Sequence, residues 1–156
     1  MNIKKAAPYI FFIALSEAAG ALAGFLTRDG IAAFENVAKS ALTPPNAVFP
    51  IVWSALYLLM GIGAARVYTS QSGGKKRALA LFAAQLVVNF FWNPIFFNLR
   101  AYALAFAWLV LLVVLVLLMT KEFFRVDKTA GLLQIPYIVW SVFALYLSFA
   151  VWMMNG

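Results

Sequence analysis

The chain has 156 residues, 65% hydrophobic and 11% charged, with a mean hydropathy of +0.92. A soluble domain of that length carries roughly a quarter charged residues, so the composition excludes one and points to an integral membrane protein. The formal net charge of +7 then belongs to loops facing anionic headgroups, not to a nucleic-acid surface. The lack of any histidine or cysteine excludes disulfides, thiolate chemistry, zinc sites, a histidine base and the usual axial ligands of haem iron.

Five hydrophobic runs predict five transmembrane helices, an all-α bundle in a single domain. The first covers residues 8–26, after Lys4 and Lys5, with Pro8 suited to a first helical turn. About 19 residues at 1.5 Å each span the hydrocarbon. A cleaved signal peptide is the rival reading, because Ala21-Leu22-Ala23 resembles a cleavage site, but Glu17 interrupts the apolar run. Ser16, Gly20 and Gly24 recur every four residues and form a small-residue seam for a second helix, either within the chain or in a homodimer. Glu17 lies inside the span and is read as structural or protonated, since no histidine or nucleophile accompanies it.

The longest polar connection, residues 27–46, ends in Thr43-Pro44-Pro45-Asn46 and is long enough to fold over a cavity mouth; a solvated linker is the plain alternative. The second span, 47–67, aligns Trp53, Tyr57, Gly61 and Ala64 on one face, as interfacial anchors or as a pocket wall. The third, 78–99, carries Gln85, Asn89, Trp92, Asn93, Phe96 and Arg100 along one stripe, and Pro94 predicts a kink. Amides in hydrocarbon must face other helices or a polar cavity, so the stripe is either interhelical glue or a ligand wall. The fourth span, 103–119, is apolar apart from the Trp108 indole and reads as a lipid-wrapped scaffold. Residues 121–128 read as a polar loop. The fifth span, 130–154, sets Gln134, Tyr137, Trp140, Ser141, Ala144 and Ser148 along one side, with Pro136 kinking its first half, and this stripe is expected to face that of the third span.

With five spans the termini lie on opposite sides. Lys4, Lys5, Arg66, Lys75, Lys76, Arg77, Lys121, Arg125 and Lys128 fall on one side, against Arg28, Lys39 and Arg100 on the other. The positive-inside rule therefore predicts a cytoplasmic N-terminus and an outward Pro-Pro loop, in what reads as a bacterial cytoplasmic membrane.

Three stretches together resemble the TspO/translocator protein family, also called the peripheral benzodiazepine receptor family: Thr43 to Gly61 (TPPNAVFPIVWSALYLLMG), Asn89 to Phe97 (NFFWNPIFF) and Pro136 to Ala144 (PYIVWSVFA). Their order and spacing cover nearly the whole chain. The resemblance implies a five-helix bundle, often dimeric, whose first loop caps a cavity binding porphyrins, isoquinoline or benzodiazepine ligands and, in some members, sterols. Carried over by motif, Trp53, Tyr57, Trp92, Phe96, Tyr137, Trp140, Phe143 and Ala144 would form the aromatic wall, and Asn89 and Asn93 would supply hydrogen bonds. Two departures stand out. The Lys39 to Thr43 stretch lacks the family's Trp and Lys-Pro, and no basic residue follows Tyr146, so the sterol-recognition pattern of animal members is missing; the converse pattern fits Arg100 to Leu104.

A tetrapyrrole-binding membrane receptor or sensor is the function this implies, with no required cofactor and porphyrin as ligand. The alternatives are Trp-dependent photo-oxidative degradation of porphyrin, with Trp53 and Trp140 as candidate redox residues, and tetrapyrrole or sterol transport. No internal repeat or charged pathway supports the last.

Overall fold

A computed structural model describes residues 2–156. Its helices are α1 (Ile3–Leu26), α2 (Arg28–Ala33), α3 (Val48–Thr69), α4 (Lys75–Asn93), α5 (Tyr102–Val126), α6 (Lys128–Leu132) and α7 (Ile135–Asn155). Five stretches are long and apolar enough to cross a membrane: α1, α3, α4 with the turn that follows it, α5, and α6 together with α7. The protein is an all-helical, multi-pass membrane protein, as the hydrophobic runs predicted.

The helices form a ring. α1 packs most intimately on α3 and also touches α4; α4 packs on α5, and α5 on α7. The remaining boundary, between α7 and α3, has no comparably close backbone approach along its length. Small residues explain the α1–α3 contact. A Cβ on Gly61 would lie 2.5 Å from the Ile13 Cα, and one on Gly20 would enter the Tyr57 ring. Ser16 is fully buried in the same seam, whereas Gly24 faces open space. The seam is thus used within the chain for most of its length, and the part left open is Gly24.

Several boundaries differ from those predicted. α1 starts at Ile3, capped by the Asn2 side chain on the Lys4 N–H at 3.0 Å, so Pro8 stands inside the helix and not in its first turn. The 27–46 connection is partly helical: α2 is followed by a 3₁₀ turn at Phe34–Asn36. The polar stretch 121–128 is no loop, because α5 continues to Val126 and only Asp127 breaks it. Its Glu122 tucks under Arg77 and Arg125, at 3.8 and 3.4 Å. Burying one carboxylate edge at a basic membrane boundary lets the helix run on.

Proline effects also shift. Pro94 ends α4 and opens a π turn, Pro94–Asn98, closed by the Leu99 N–H on the Pro94 carbonyl at 2.9 Å. That wider turn passes into Arg100, whose φ of 50° is rare for a non-glycine residue. Pro136 kinks nothing; it occupies the first turn of α7, where its missing N–H is no loss, and the break falls just before it at Leu133 and Gln134.

The fourth span, read as lipid-wrapped, is lipid-facing on one side only. Ala105, Leu109, Leu112, Val116, Met119 and Phe123 recur at helical spacing and are buried against the neighbouring helices, while Val110, Leu111, Val114, Leu117 and Leu118 remain exposed. Continuous apolar sequence hides such a division, because core-facing and lipid-facing leucines are chemically alike. Trp108 donates its indole N–H to the Val88 carbonyl at 2.7 Å, tying α5 to α4.

Candidate functional site

The polar stripes of α4 and α7 do meet. Asn89 accepts a hydrogen bond from the Tyr57 hydroxyl of α3 at 3.0 Å and donates its amide to the Tyr137 hydroxyl of α7 at 2.8 Å. Tyr137 in turn donates to the Gln85 side-chain carbonyl at 2.7 Å, and the Gln85 amide reaches the Met60 sulfur at 3.5 Å. Gln85, Asn89, Tyr57 and Tyr137 are all buried. Each hydroxyl and amide is thereby partnered in a setting where water is not available. Asn89 is the hub because its amide both donates and accepts, which lets it bridge two tyrosines on different helices.

Around this chain stand the aromatic residues. Trp53 lies one turn before Tyr57 and packs beside it at 5.7 Å, and against Tyr137 edge-on at 6.2 Å. Trp140 contacts Phe143 at 5.5 Å and Phe49 of α3 at 5.8 Å. Ala144 packs against the same core. Trp53, Tyr57, Asn89, Tyr137, Trp140, Phe143 and Ala144 therefore lie on one cluster of contacts.

The other expected wall residues divide. Trp92 touches both this core and a second one, stacking on Phe96 at 4.7 Å. Phe96 belongs to the second cluster, with Ala105 and Val151, and is covered by Phe34 of the first connection at 5.4 Å. The π turn after Pro94 carries it away from Tyr137. Asn93, half-buried one step round the helix from Asn89, does not join the hydrogen-bond chain. Arg100 is exposed at the end of the turn, beside Phe96 and Tyr102 rather than beside Asn89.

Not all polar atoms near the site are partnered. The indole N–H groups of Trp92 and Trp140, the hydroxyls of Ser141 and Ser148 and the Gln134 side-chain carbonyl are buried without a hydrogen bond among the described residues.

The first connection closes one end of the bundle. Ser40 and Tyr146 share a hydrogen bond of 2.8 Å, the Asn155 amide donates to the Ala38 carbonyl at 2.7 Å, and the Ala38 N–H returns to Asn155 at 3.3 Å. Lys39 donates to the carbonyls of Phe34, Glu35 and Val37 at 2.9 to 3.2 Å, fixing the 3₁₀ turn. An open surface pocket of about 380 Å³ lies on this cover, among Glu35, Lys39, Ser40, Pro44 and Asn46, not inside the aromatic cluster. The other end is basic. There Arg66 grips Asp127 with two bonds of 3.1 and 3.2 Å, and Asp127 also caps α6 through the Ala130 N–H at 2.9 Å. Burial alone pushes the Asp127 carboxyl up, but the Ala130 N–H and the Arg66 guanidinium outweigh it and hold it below its ordinary value.

Sequence reasoning missed three contributors. Gln85 was visible in the stripe, but nothing marked it as the partner of Tyr137. Phe49 lies inside the Thr43 to Gly61 stretch that carries the resemblance but was given no role in the site. The pairing of Arg66 with Asp127, 61 residues apart, has no local signal.

Comparison with known proteins agrees with the resemblance. The profile of the TspO/MBR family matches residues 12–153. The "Tryptophan-rich sensory protein" of Cereibacter sphaeroides is 38% identical over 122 residues, 78% of this chain and 76% of the relative. "Protein CrtK" of Rhodobacter capsulatus is 38% identical over 148 residues, covering 94% and 91%. The human "Translocator protein" is 31% identical over 134 residues, covering 84% and 79%. With its five spans, its aromatic cluster and a family match running from the first span to the last, this chain belongs to the TspO/MBR family.

Proposed function

We propose that this protein is a membrane receptor that binds a porphyrin or related tetrapyrrole among α3, α4 and α7. The observation that carries the reading is the Tyr57–Asn89–Tyr137–Gln85 chain set inside the Trp53 and Trp140 aromatic cluster. A ligand site for a large planar molecule needs apolar faces for most of the affinity and a few convergent polar groups for orientation, and this cluster has both. Aromatic rings stack on a macrocycle, while Asn89 and the free indole donors offer hydrogen bonds to its acceptors. The name of the sensory-protein relative fits a receptor.

The central side chains bond one another, so binding exchanges some of those contacts for contacts to the ligand. The basic end, with Arg66, Lys75, Lys76, Arg77, Lys121, Arg125 and Lys128, faces the cytoplasm in this reading, and the cover formed by α2 and the Pro-Pro stretch faces outward. Gly24, the open end of the small-residue seam, is the place where a second copy would approach.

The test is a titration of purified protein with protoporphyrin in the dark, followed by Trp fluorescence and porphyrin absorbance. Saturable binding that is weakened about three- to tenfold in Trp140→Phe supports the site, since the variant keeps a ring but loses the larger indole face and its N–H donor. Unchanged affinity in the Trp53→Phe, Trp92→Phe, Trp140→Phe triple variant overturns it. The same samples under illumination test turnover: Trp53 and Trp140 share the cluster with Tyr57 and Tyr137, so a single oxidised product, lost in Trp140→Phe, is the signature of a degrading enzyme.

A further inference from the structure

The geometry points to a lateral gate between α3 and α7, opening toward the lipid at the α2 end, with Phe49 as the residue that holds it shut; for its ligand this rests on the tetrapyrrole reading above. α3 and α7 run antiparallel, and the stretch from Asp127 through α6 into α7 meets α3 at four levels, the last two on α7 itself. At the basic end Arg66 and Asp127 are joined by two bonds. One level along, the Gln134 amide donates to the Leu59 carbonyl at 3.2 Å. Gly63 makes room for it, because a Cβ there would collide with that amide. The next two levels are aromatic only, Trp53 on Tyr137 at 6.2 Å and Phe49 on Trp140 at 5.8 Å, both edge-on.

The boundary is thus polar, close and directional at one end, and at the other is closed by two ring edges. Of the other ring neighbours, α1–α3, α4–α5 and α5–α7 are held by extensive close backbone packing, and α1 and α4 by a smaller backbone contact. Spreading this boundary from the aromatic end, about a hinge at Gly63 and Gln134, breaks no direct hydrogen bond between α3 and α7; Asn89, bonded to both Tyr57 and Tyr137, has to release only one of them. The water-facing route is shut by Ser40 on Tyr146, by Ala38 on Asn155 and by Phe34 on Phe96 and Phe97. Outside the gate lies lipid, as Ile51 and Val139, on the outer faces of α3 and α7, are 70% and 64% exposed. A macrocycle dissolved in the bilayer therefore meets the half-buried Phe49 and Trp140 pair at this boundary. Phe49 acts as a positioning residue: its ring edge keeps the Trp140 indole over the entrance, and the opening leads directly to Trp53 and Tyr137.

The chain has no native cysteine, so cysteine pairs report cleanly. Nitroxide labels on Ile51→Cys and Val139→Cys in lipid nanodiscs read the width of the gate without any ligand. Phe49→Ala is expected to broaden that distance distribution, and a Ser40→Cys/Tyr146→Cys pair bridged by a bifunctional thiol reagent is expected to leave gating rates unchanged. In stopped-flow mixing with protoporphyrin, Phe49→Ala is expected to raise the association and dissociation rates together, roughly two- to tenfold, the rate equivalent of one aromatic pair. Bridging positions 51 and 139 is expected to slow both at least about tenfold with little change in equilibrium affinity, as for a closed lid.

A narrow distribution indifferent to Phe49→Ala overturns the gate whether or not the ligand binds. Rates slowed by the 40–146 bridge but not by the 51–139 bridge overturn it in favour of entry from water. Absence of any protoporphyrin binding, with the label distances responding to Phe49→Ala, sinks the tetrapyrrole reading alone.

Discussion

Replacing Asn89 tests the centre of the site most directly. Asn89→Leu keeps the side chain's approximate size and removes two interhelical bonds, one accepted from Tyr57 at 3.0 Å and one donated to Tyr137 at 2.8 Å. The two tyrosines are left unequal. Tyr137 still donates to Gln85 at 2.7 Å, while Tyr57, buried among apolar neighbours, has lost its acceptor. Interhelical hydrogen bonds in bilayers average only about 0.6 kcal/mol, because the unfolded chain in lipid finds other partners. That discount applies to Asn89 itself but not to the stranded Tyr57 hydroxyl, which costs the folded state about 1–3 kcal/mol. The stranded group dominates, and the expected loss is about 2 kcal/mol.

Tyr57→Phe in the Asn89→Leu background removes the stranded hydroxyl. The double variant should therefore be more stable than the sum of the single losses predicts, by about 1 kcal/mol. Reversible unfolding in mixed detergent micelles, followed by helical circular dichroism, measures all four corners of the cycle. Additivity within about 0.5 kcal/mol would refute the coupling and with it the hydrogen-bonded hub.

Other perturbations reach the rest of the bundle. Gly61→Ala places a methyl group 2.5 Å from the Ile13 backbone, which cannot rotate away, so α1 and α3 must separate; a loss of about 1–3 kcal/mol in the same unfolding assay is expected. Gly20→Ala meets the Tyr57 ring instead, and should both destabilise the fold and weaken ligand binding, since the ring carries the bond to Asn89. Asp127 sets a pH dependence. Its folded value is depressed, so its contribution is complete above the ordinary 3.8 and is lost as pH falls through the lower folded value. In Asp127→Asn that acid-side loss should vanish and stability at neutral pH should drop by about 0.5 kcal/mol, the ordinary worth of a partly exposed pair, because the amide oxygen still caps α6. Tyr146→Phe cuts the Ser40 contact and should speed proteolysis within residues 37–46 while leaving global unfolding nearly unchanged.

The sequence by itself determined the membrane, the five spans and the stripes that carry the site. Those properties are local: hydrophobic run length sets a span, and a repeat of three or four residues puts Gln85, Asn89 and Trp92 on one side of a helix whatever surrounds it. The pairing of the α4 and α7 stripes was also legible, because amides and hydroxyls in hydrocarbon have few places to go other than toward each other.

The tertiary structure decided what depended on helices distant in sequence. Whether the Ser16 and Gly20 seam was used inside the chain or between copies hung on Tyr57 and Ile13 arriving opposite it. Phe96 packs in the second cluster, apart from Tyr137, because the π turn is wider than an α-helical one and rotates the chain after Pro94, which no spacing rule anticipates. Residues 121–128 looked like a loop because charge usually marks one; Glu122 buried under two arginines allowed the helix to continue. The weak boundary between α3 and α7 was invisible for the same reason. How tightly two helices close depends on the residues facing one another across the gap, and Phe49 and Trp140 come together only when the chain has crossed the membrane three more times.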